Sequence, residues 1–146
     1  MNFDRSQYSD IAPYVGKDVD DAIVRISNNP QLLYAFASAL IKGEGAEVEA
    51  KRKQFVVYVL ELLKSVHSYD DFQHKITSGL FLKVVVANTM ESFTVSGLEK
   101  IDNNKSYLFI SNHRDIVLDC ALLDYALFLA NKPLCEMAIG DNLLKH

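Results

Sequence analysis

Two cysteines, no long apolar run and no surplus of positive charge set the first limits on this 146-residue chain. Cys120 and Cys135 lack metal-ligand spacing and are too few for a disulfide framework, so they read as buried, reduced thiols in a reducing compartment. No stretch approaches the roughly 18 uncharged apolar residues of a membrane-spanning helix. The opening residues MNFDRSQYSD are polar, which argues against a secretory signal. A formal net charge of -4 argues against nucleic acid as the main partner, because no basic excess exists to meet its phosphates. Internal repeats and low-complexity tracts are also missing from the sequence.

What is present suffices for an ordinary core: 49% of residues are hydrophobic and 23% charged. The leader through residue 17 reads as irregular, with Pro13 and Gly16 as breakers. A short helix is expected over Asp18–Ser27, with Asp18 as its cap. Pro30 starts another, PQLLYAFASALIK, which Gly43-Glu44-Gly45 ends. A longer helix follows from Glu47 or Glu49 to His67, with Phe55, Val59, Leu62, Leu63 and Val66 in one stripe. Asp70 is read as the next cap, and residues 71–90 as helix despite the β-branched run Val84-Val85-Val86.

Beyond about residue 91 the texture changes. Residues 106–110 and 135–139 read as buried-type strands, and the motif helix between them runs from Asp115 or Ile116 to Asn131. Strand, helix, strand implies a βαβ unit with a parallel pair and a right-handed crossover. The expected fold class is therefore α/β. A helical region over 1–90 precedes the first part of an α/β domain over 91–146.

The segment YLFISNHRDIVLD, residues 107–119, carries the chemistry. His113 stands at the expected strand-to-helix junction, where a scaffold can present a catalytic side chain. Asp119 is the one carboxylate of an apolar run, a position that calls for a partner. With Asp115 as cap, the tilt of helical side chains leans Asp119 back toward the loop that holds His113. A general base and its orienting carboxylate need that much. Arg114, beside a helix N-terminus, suits an anion such as phosphate. Rival readings stand beside these. His113 could be a loop histidine bonding backbone, Asp119 could pair with a lysine of the N-terminal helices, and Asp115 could be the partner of His113.

Asn112, His113 and Asp119, between FIS and an apolar helix, resemble the first motif of the glycerolipid acyltransferase superfamily. The flanks ALLDYAL and CEMAIGD and the leader DIAPYVGKDVDDAIVRI add to the likeness. The usual motif is His, four residues, Asp. Here five residues, Arg114 to Leu118, fill the gap, and Leu118 stands at the expected Asp position. The resemblance implies an acyltransferase with His113 as general base and Asp119 holding its imidazole. Asn112, Arg114 and Asp115 would bind substrate. The donor would be an acyl thioester of coenzyme A or acyl carrier protein, and the acceptor a glycerol-phosphate or lysophospholipid hydroxyl. Neither a metal nor a resident cofactor is implied. The location would be cytoplasmic, with peripheral contact at the inner face of the membrane. The family's later Arg-bearing, Glu-Gly-Thr-like and Pro motifs do not occur in the sequence, so it reads as the front part of a longer enzyme, inactive alone. The alternative is a non-catalytic fragment serving as a helical lipid-surface or protein-interaction module.

Other features are blander. Lys51-Arg52-Lys53 reads as a solvated helix face, with anionic lipid as its functional alternative. His67 and His74 have no constellation around them. Residues 76–90, apolar on most sides, suit a buried core helix or an interfacial one.

Overall fold

The computed structural model describes residues 12–112, 115 and 117–137. Among them 62% are helical and none is in a strand, so the described fold is all-α. The chain divides into two compact units, Met1–Ile76 and Thr77–His146.

In the first unit α1 (Lys17–Ser27), α2 (Pro30–Leu40) and α3 (Ala46–Leu63) each pack on the other two. Gly16 occupies the N-cap of α1 at φ 54, and no side chain caps this helix, so Asp18 lies inside the first turn instead. Its charge still suits the positive end of the helix dipole. Asn29 caps α2 by accepting the Leu32 N–H at 3.0 Å, and Pro30 fills the first turn, where an N–H is dispensable. Gly45, at φ 105, turns the chain into α3. Val19, Leu33, Ala37, Val59, Leu63 and Val66 are buried, and the Phe36 and Phe55 rings meet at 5.7 Å. The stripe expected on α3 supplies three of those buried residues.

Within the Lys51-Arg52-Lys53 cluster, Arg52 serves as a structural tie. The Arg52 guanidinium donates to Ile41 O at 3.1 and 2.9 Å and to Gly43 O at 3.0 Å. It thereby satisfies carbonyls left open at the end of α2. Lys51 pairs with Glu47 at 2.7 Å.

The next helix is capped by Ser68, not Asp70. Ser68 Oγ accepts the Asp71 N–H at 3.0 Å, while Asp71 Oδ2 accepts the His67 N–H at 3.1 Å. This is the reciprocal logic of a capping box, displaced by one residue on the return bond. From here α4 (Tyr69–Phe72), a π-helical segment (Gln73–Leu82) and α5 (Lys83–Thr89) follow one another without a break. The Val84-Val85-Val86 run is thus helical. The wide π turn buries Ser78 and Leu82 as well as Ile76 and Leu80.

In the second unit Leu82, Ala121 and Tyr125 form the core, flanked by Phe81, Val86, Phe93 and Phe128. Tyr125 meets Phe93 at 5.6 Å and Phe128 at 6.2 Å between ring centroids. A 3₁₀ turn (Leu98–Lys100) and the Asn103-Asn104 bend lead to the motif segment, and α6 (Leu118–Leu129) follows it. A Schellman pair ends α6: Asn131 N–H to Phe128 O at 3.1 Å, and Lys132 N–H to Leu127 O at 2.9 Å, with Asn131 at φ 51. Lys132 Nζ then reaches Ile101 O at 2.6 Å and fastens the bend to the end of α6.

The expected α/β fold is therefore corrected for the described residues. Residues 106–110 form no ladder, and neither do 135–137; residues 138 and 139 lie outside the described chain. A strand exists only when a second backbone pairs with it. The apolar, β-prone run YLFI finds none here, and β propensity alone does not supply one. No described helix is long and apolar enough to cross a membrane.

Candidate functional site

The N-terminal end of α6 is built from two aspartates. Asp115 Oδ1 accepts the Val117 N–H at 2.9 Å and the Leu118 N–H at 2.7 Å. Asp119, the second residue of the helix, turns its carboxylate backward, and its Oδ2 accepts the Asp115 N–H at 2.9 Å. The two side chains lock the loop onto the helix start. The backward lean follows from the tilt of helical side chains toward the N-terminus. It brings the Asp119 carboxylate to the backbone two residues past His113.

The same bonds bear on anion binding. Helix N–H groups that would otherwise face a phosphate are partly satisfied by Asp115, and two carboxylates already answer the positive end of the dipole. Asn112 is exposed. His113 and Arg114 lie outside the described residues, so the His113–Asp119 pairing and the Arg114 clamp have no described geometry.

Asp119 also lines a groove of about 860 Å³ in the second unit. Its lining includes Tyr107, Phe109, Leu134, Cys135, Asp119 and Cys120. The lining mixes polar and apolar groups, which suits a ligand with both an apolar and a polar part. The first unit has a smaller cavity of about 270 Å³ between α1 and the Tyr69–Phe72 turn, lined by apolar and tyrosine side chains such as Val19, Ile23 and Phe72. Among the described residues its lining contains no carboxylate or histidine.

Asp124 is a residue that the sequence reading passed over. It lies on α6, is only 1% exposed, and holds Cys135 twice, accepting its N–H at 3.0 Å and its thiol at 3.2 Å through Oδ1. Asp124 thus fixes one wall of the groove to the helix that carries Asp119. Its Oδ2 is buried without a hydrogen-bond partner. Burial first, then the hydrogen bond to Asp124, pushes the Cys135 thiol up to about 12. Cys135 is therefore a protonated structural thiol, and not a nucleophile. The signal was available: Asp124 interrupts the apolar run ALLDYAL just as Asp119 interrupts the one before it. Among the described residues no group of three or more metal-ligating side chains could hold a metal ion. Compared with protein-family models, curated proteins and solved structures, the chain shows no significant match to any of them.

Proposed function

We propose that the chain carries the catalytic base of an O-acyltransferase, which moves an acyl group from a coenzyme A or acyl carrier protein thioester to a glycerol-phosphate-type or lysophospholipid hydroxyl. The observation that carries the reading is the position of Asp119. Asp119 lines the groove, and its carboxylate turns back onto the Asp115 N–H, two residues past His113 in the sequence. In this reading His113 takes the proton of the acceptor hydroxyl as the oxygen attacks the thioester carbonyl. Asp119 orients the imidazole and stabilises the imidazolium. The tetrahedral intermediate expels the thiolate, which takes the proton from His113, leaving an ester and a thiol. Arg114 offers the acceptor's phosphate a planar guanidinium. The groove, which Asp119 lines, gives the thioester an extended seat.

The test is ester formation by the protein as its gene encodes it, with acyl-CoA and acyl carrier protein donors and with glycerol phosphate and lysophospholipid acceptors. His113→Ala is expected to lower turnover by the roughly 10²–10⁴-fold that general bases contribute, with the circular dichroism spectrum unchanged. Undiminished transfer by that variant removes His113 from the mechanism. If no donor and acceptor pair gives ester, the reading fails.

A further inference from the structure

Four side chains of α1, Val19, Ala22, Ile23 and Ile26, recur at helical spacing and line the cavity of about 270 Å³ in the first unit. A stripe of this kind is the face that a helix buries. Close-packed interiors hold few voids larger than a water molecule, and this volume is far above that. Tyr69 and Phe72 of α4, with Tyr14, complete the described lining. Exposure runs from 5% at Val19 to 37% at Tyr69 and 52% at Tyr14, so the cavity has a closed inner end and an open mouth. No side chain of the described lining is charged, and only the tyrosines carry a polar atom. The Tyr69 hydroxyl already accepts from Gln73 Nε2 at 2.9 Å. A charged group drawn inside would lose its hydration with nothing to replace it, whereas hydrocarbon gains by leaving water. From Val19 to Ile26 the lining follows α1 for roughly 10 Å, at about 1.5 Å per residue.

We propose that this cavity holds the alkyl chain of an uncharged single-chain amphiphile, methyl end toward Val19 and polar end at the tyrosines of the mouth. An extended chain of about eight to ten carbons, with C–C bonds of about 1.5 Å, has the length of the lining. A smaller apolar cavity, about 150 Å³, is already enough to hold benzene, so the volume admits a ligand of this size. The elongated lining favours a chain over a compact ring. Among the described residues the mouth offers hydroxyl groups and no cation, which suits an alcohol head and not a carboxylate. Each methylene that enters is worth about a fourfold gain in affinity, so the cavity reads chain length until it is full. Every lining residue named lies in the first unit, and the inference does not depend on the acyltransferase reading.

Titration of the 146-residue chain with straight-chain alcohols of roughly four to twelve carbons, read in ¹H–¹⁵N correlation spectra, tests it. The amides of α1 and of Tyr69–Phe72 are expected to shift. 1-Octanol should bind with a Kd of about 0.1–1 mM. Affinity should climb about two- to fourfold per carbon and level off at about eight to ten carbons. Octanoate, charged at the mouth, should bind at least about tenfold more weakly than 1-octanol. Ala22→Phe sets a ring in the cavity and should weaken 1-octanol at least about tenfold. Ala22→Leu fills less and should weaken it about threefold, which keeps the test decisive if the larger ring unfolds the chain. Failure of 1-octanol to bind up to its solubility limit overturns the proposal. So does an affinity that still climbs at the longest chain, shifts confined to residues outside the cavity, octanoate binding as tightly as the alcohol, or indifference to both Ala22 variants.

Discussion

Asp124 grips Cys135 at two points, backbone N–H at 3.0 Å and thiol at 3.2 Å, with a single carboxylate oxygen. The pair spans from the middle of α6 to the residues after its end and so joins helix and groove wall. Asp124 is buried and Cys135 half-buried, so removing the acceptor leaves the Cys135 N–H without its partner. Asp124→Ala is expected to destabilise the protein by about 2–3 kcal/mol, the cost of a buried unsatisfied donor plus a small cavity. Asp124→Asn keeps an acceptor oxygen in place and gives up less than half as much. Urea denaturation of the two variants checks the order, and equal losses would show that the Cys135 bonds are not what Asp124 contributes.

The protonated Cys135 thiol makes a statement about pH. Its folded value, about 12, lies above the ordinary 9.0. The unfolded chain then gives up this proton at lower pH than the folded one. The contribution to stability is whole below pH 9 and is lost as pH climbs from 9 toward 12. Lysines and tyrosines titrate in the same range, so the measurement is a difference. Tm is followed from pH 8 to 11 in the parent and in Cys135→Ala, and the parent should fall more steeply. Parallel curves would contradict the elevated value. Iodoacetamide near pH 8 should likewise alkylate Cys135 in the native protein far more slowly than in urea.

Asp71 works in the opposite direction. The Lys75 ammonium at 2.7 Å, foremost, and the His67 N–H hold its carboxyl below the usual 3.8. A depressed carboxylate stabilises above the unfolded value, and that share is lost as pH falls below 3.8 through the folded value. Asp71→Asn retains an acceptor for the His67 N–H but cannot ionise or attract Lys75. The parent's Tm should therefore drop more between pH 4 and 2 than that of the variant. The carboxylate is exposed to solvent, so added salt should narrow the difference.

The Arg52 ties explain a cluster that charge patterning alone left as a solvated face. Three bonds from one guanidinium to Ile41 O and Gly43 O are charge-assisted, and Arg52 is 17% exposed. Arg52→Ala should cost about 1–2 kcal/mol in urea denaturation. Arg52→Lys should recover less than half of that, because an ammonium lacks the planar fork. Full recovery by lysine would mean that charge, rather than the fork, is what α2 requires.

Where the sequence was legible, the information was local. Pro30 marks a helix start and Gly43-Glu44-Gly45 a break between helices by backbone chemistry that needs no tertiary partner, and the Val59, Leu63, Val66 stripe follows from helical periodicity. The strands were read from YLFI, a segment whose state depends on what lies beside it. Propensity cannot report a missing neighbour, so the α/β expectation came from the part of the chain with the most non-local requirements. The cap at 68 was missed because Ser68 and Asp70 are both good caps, and only the return bond from Asp71 to His67 separates them. At the candidate site, Asp119 was legible as the lone carboxylate of its run. The helix begins at Leu118 with Val117 at its N-cap, so Asp115 holds the turn before the helix instead of capping it. The grip of Asp124 on Cys135 was not legible, since it depends on the path of the chain after Asn131.

The two aspartates at the start of α6 are separable by experiment. Asp115 accepts the Val117 and Leu118 N–H groups and so holds the turn that leads into the helix. Asp119 accepts the Asp115 N–H and lines the groove. Asp115→Ala should therefore lower stability by about 1 kcal/mol, the cost of losing such an acceptor at a helix start, while Asp115→Asn, still an acceptor, should lower it by only a few tenths. Asp119→Asn also retains an acceptor for the Asp115 N–H, so the fold should tolerate it. In the proposed acyl transfer it removes the charge that favours the His113 imidazolium. The acyl-transfer pH profile should then shift, with the apparent pKa of the base moving down and turnover falling by more than tenfold. Combined with His113→Ala, Asp119→Asn should add almost nothing, because the two act as a unit. An Asp119→Asn enzyme with the parent's profile, beside an Asp115→Asn enzyme with a shifted one, would assign the orienting role to Asp115 and leave Asp119 as a structural brace for the loop.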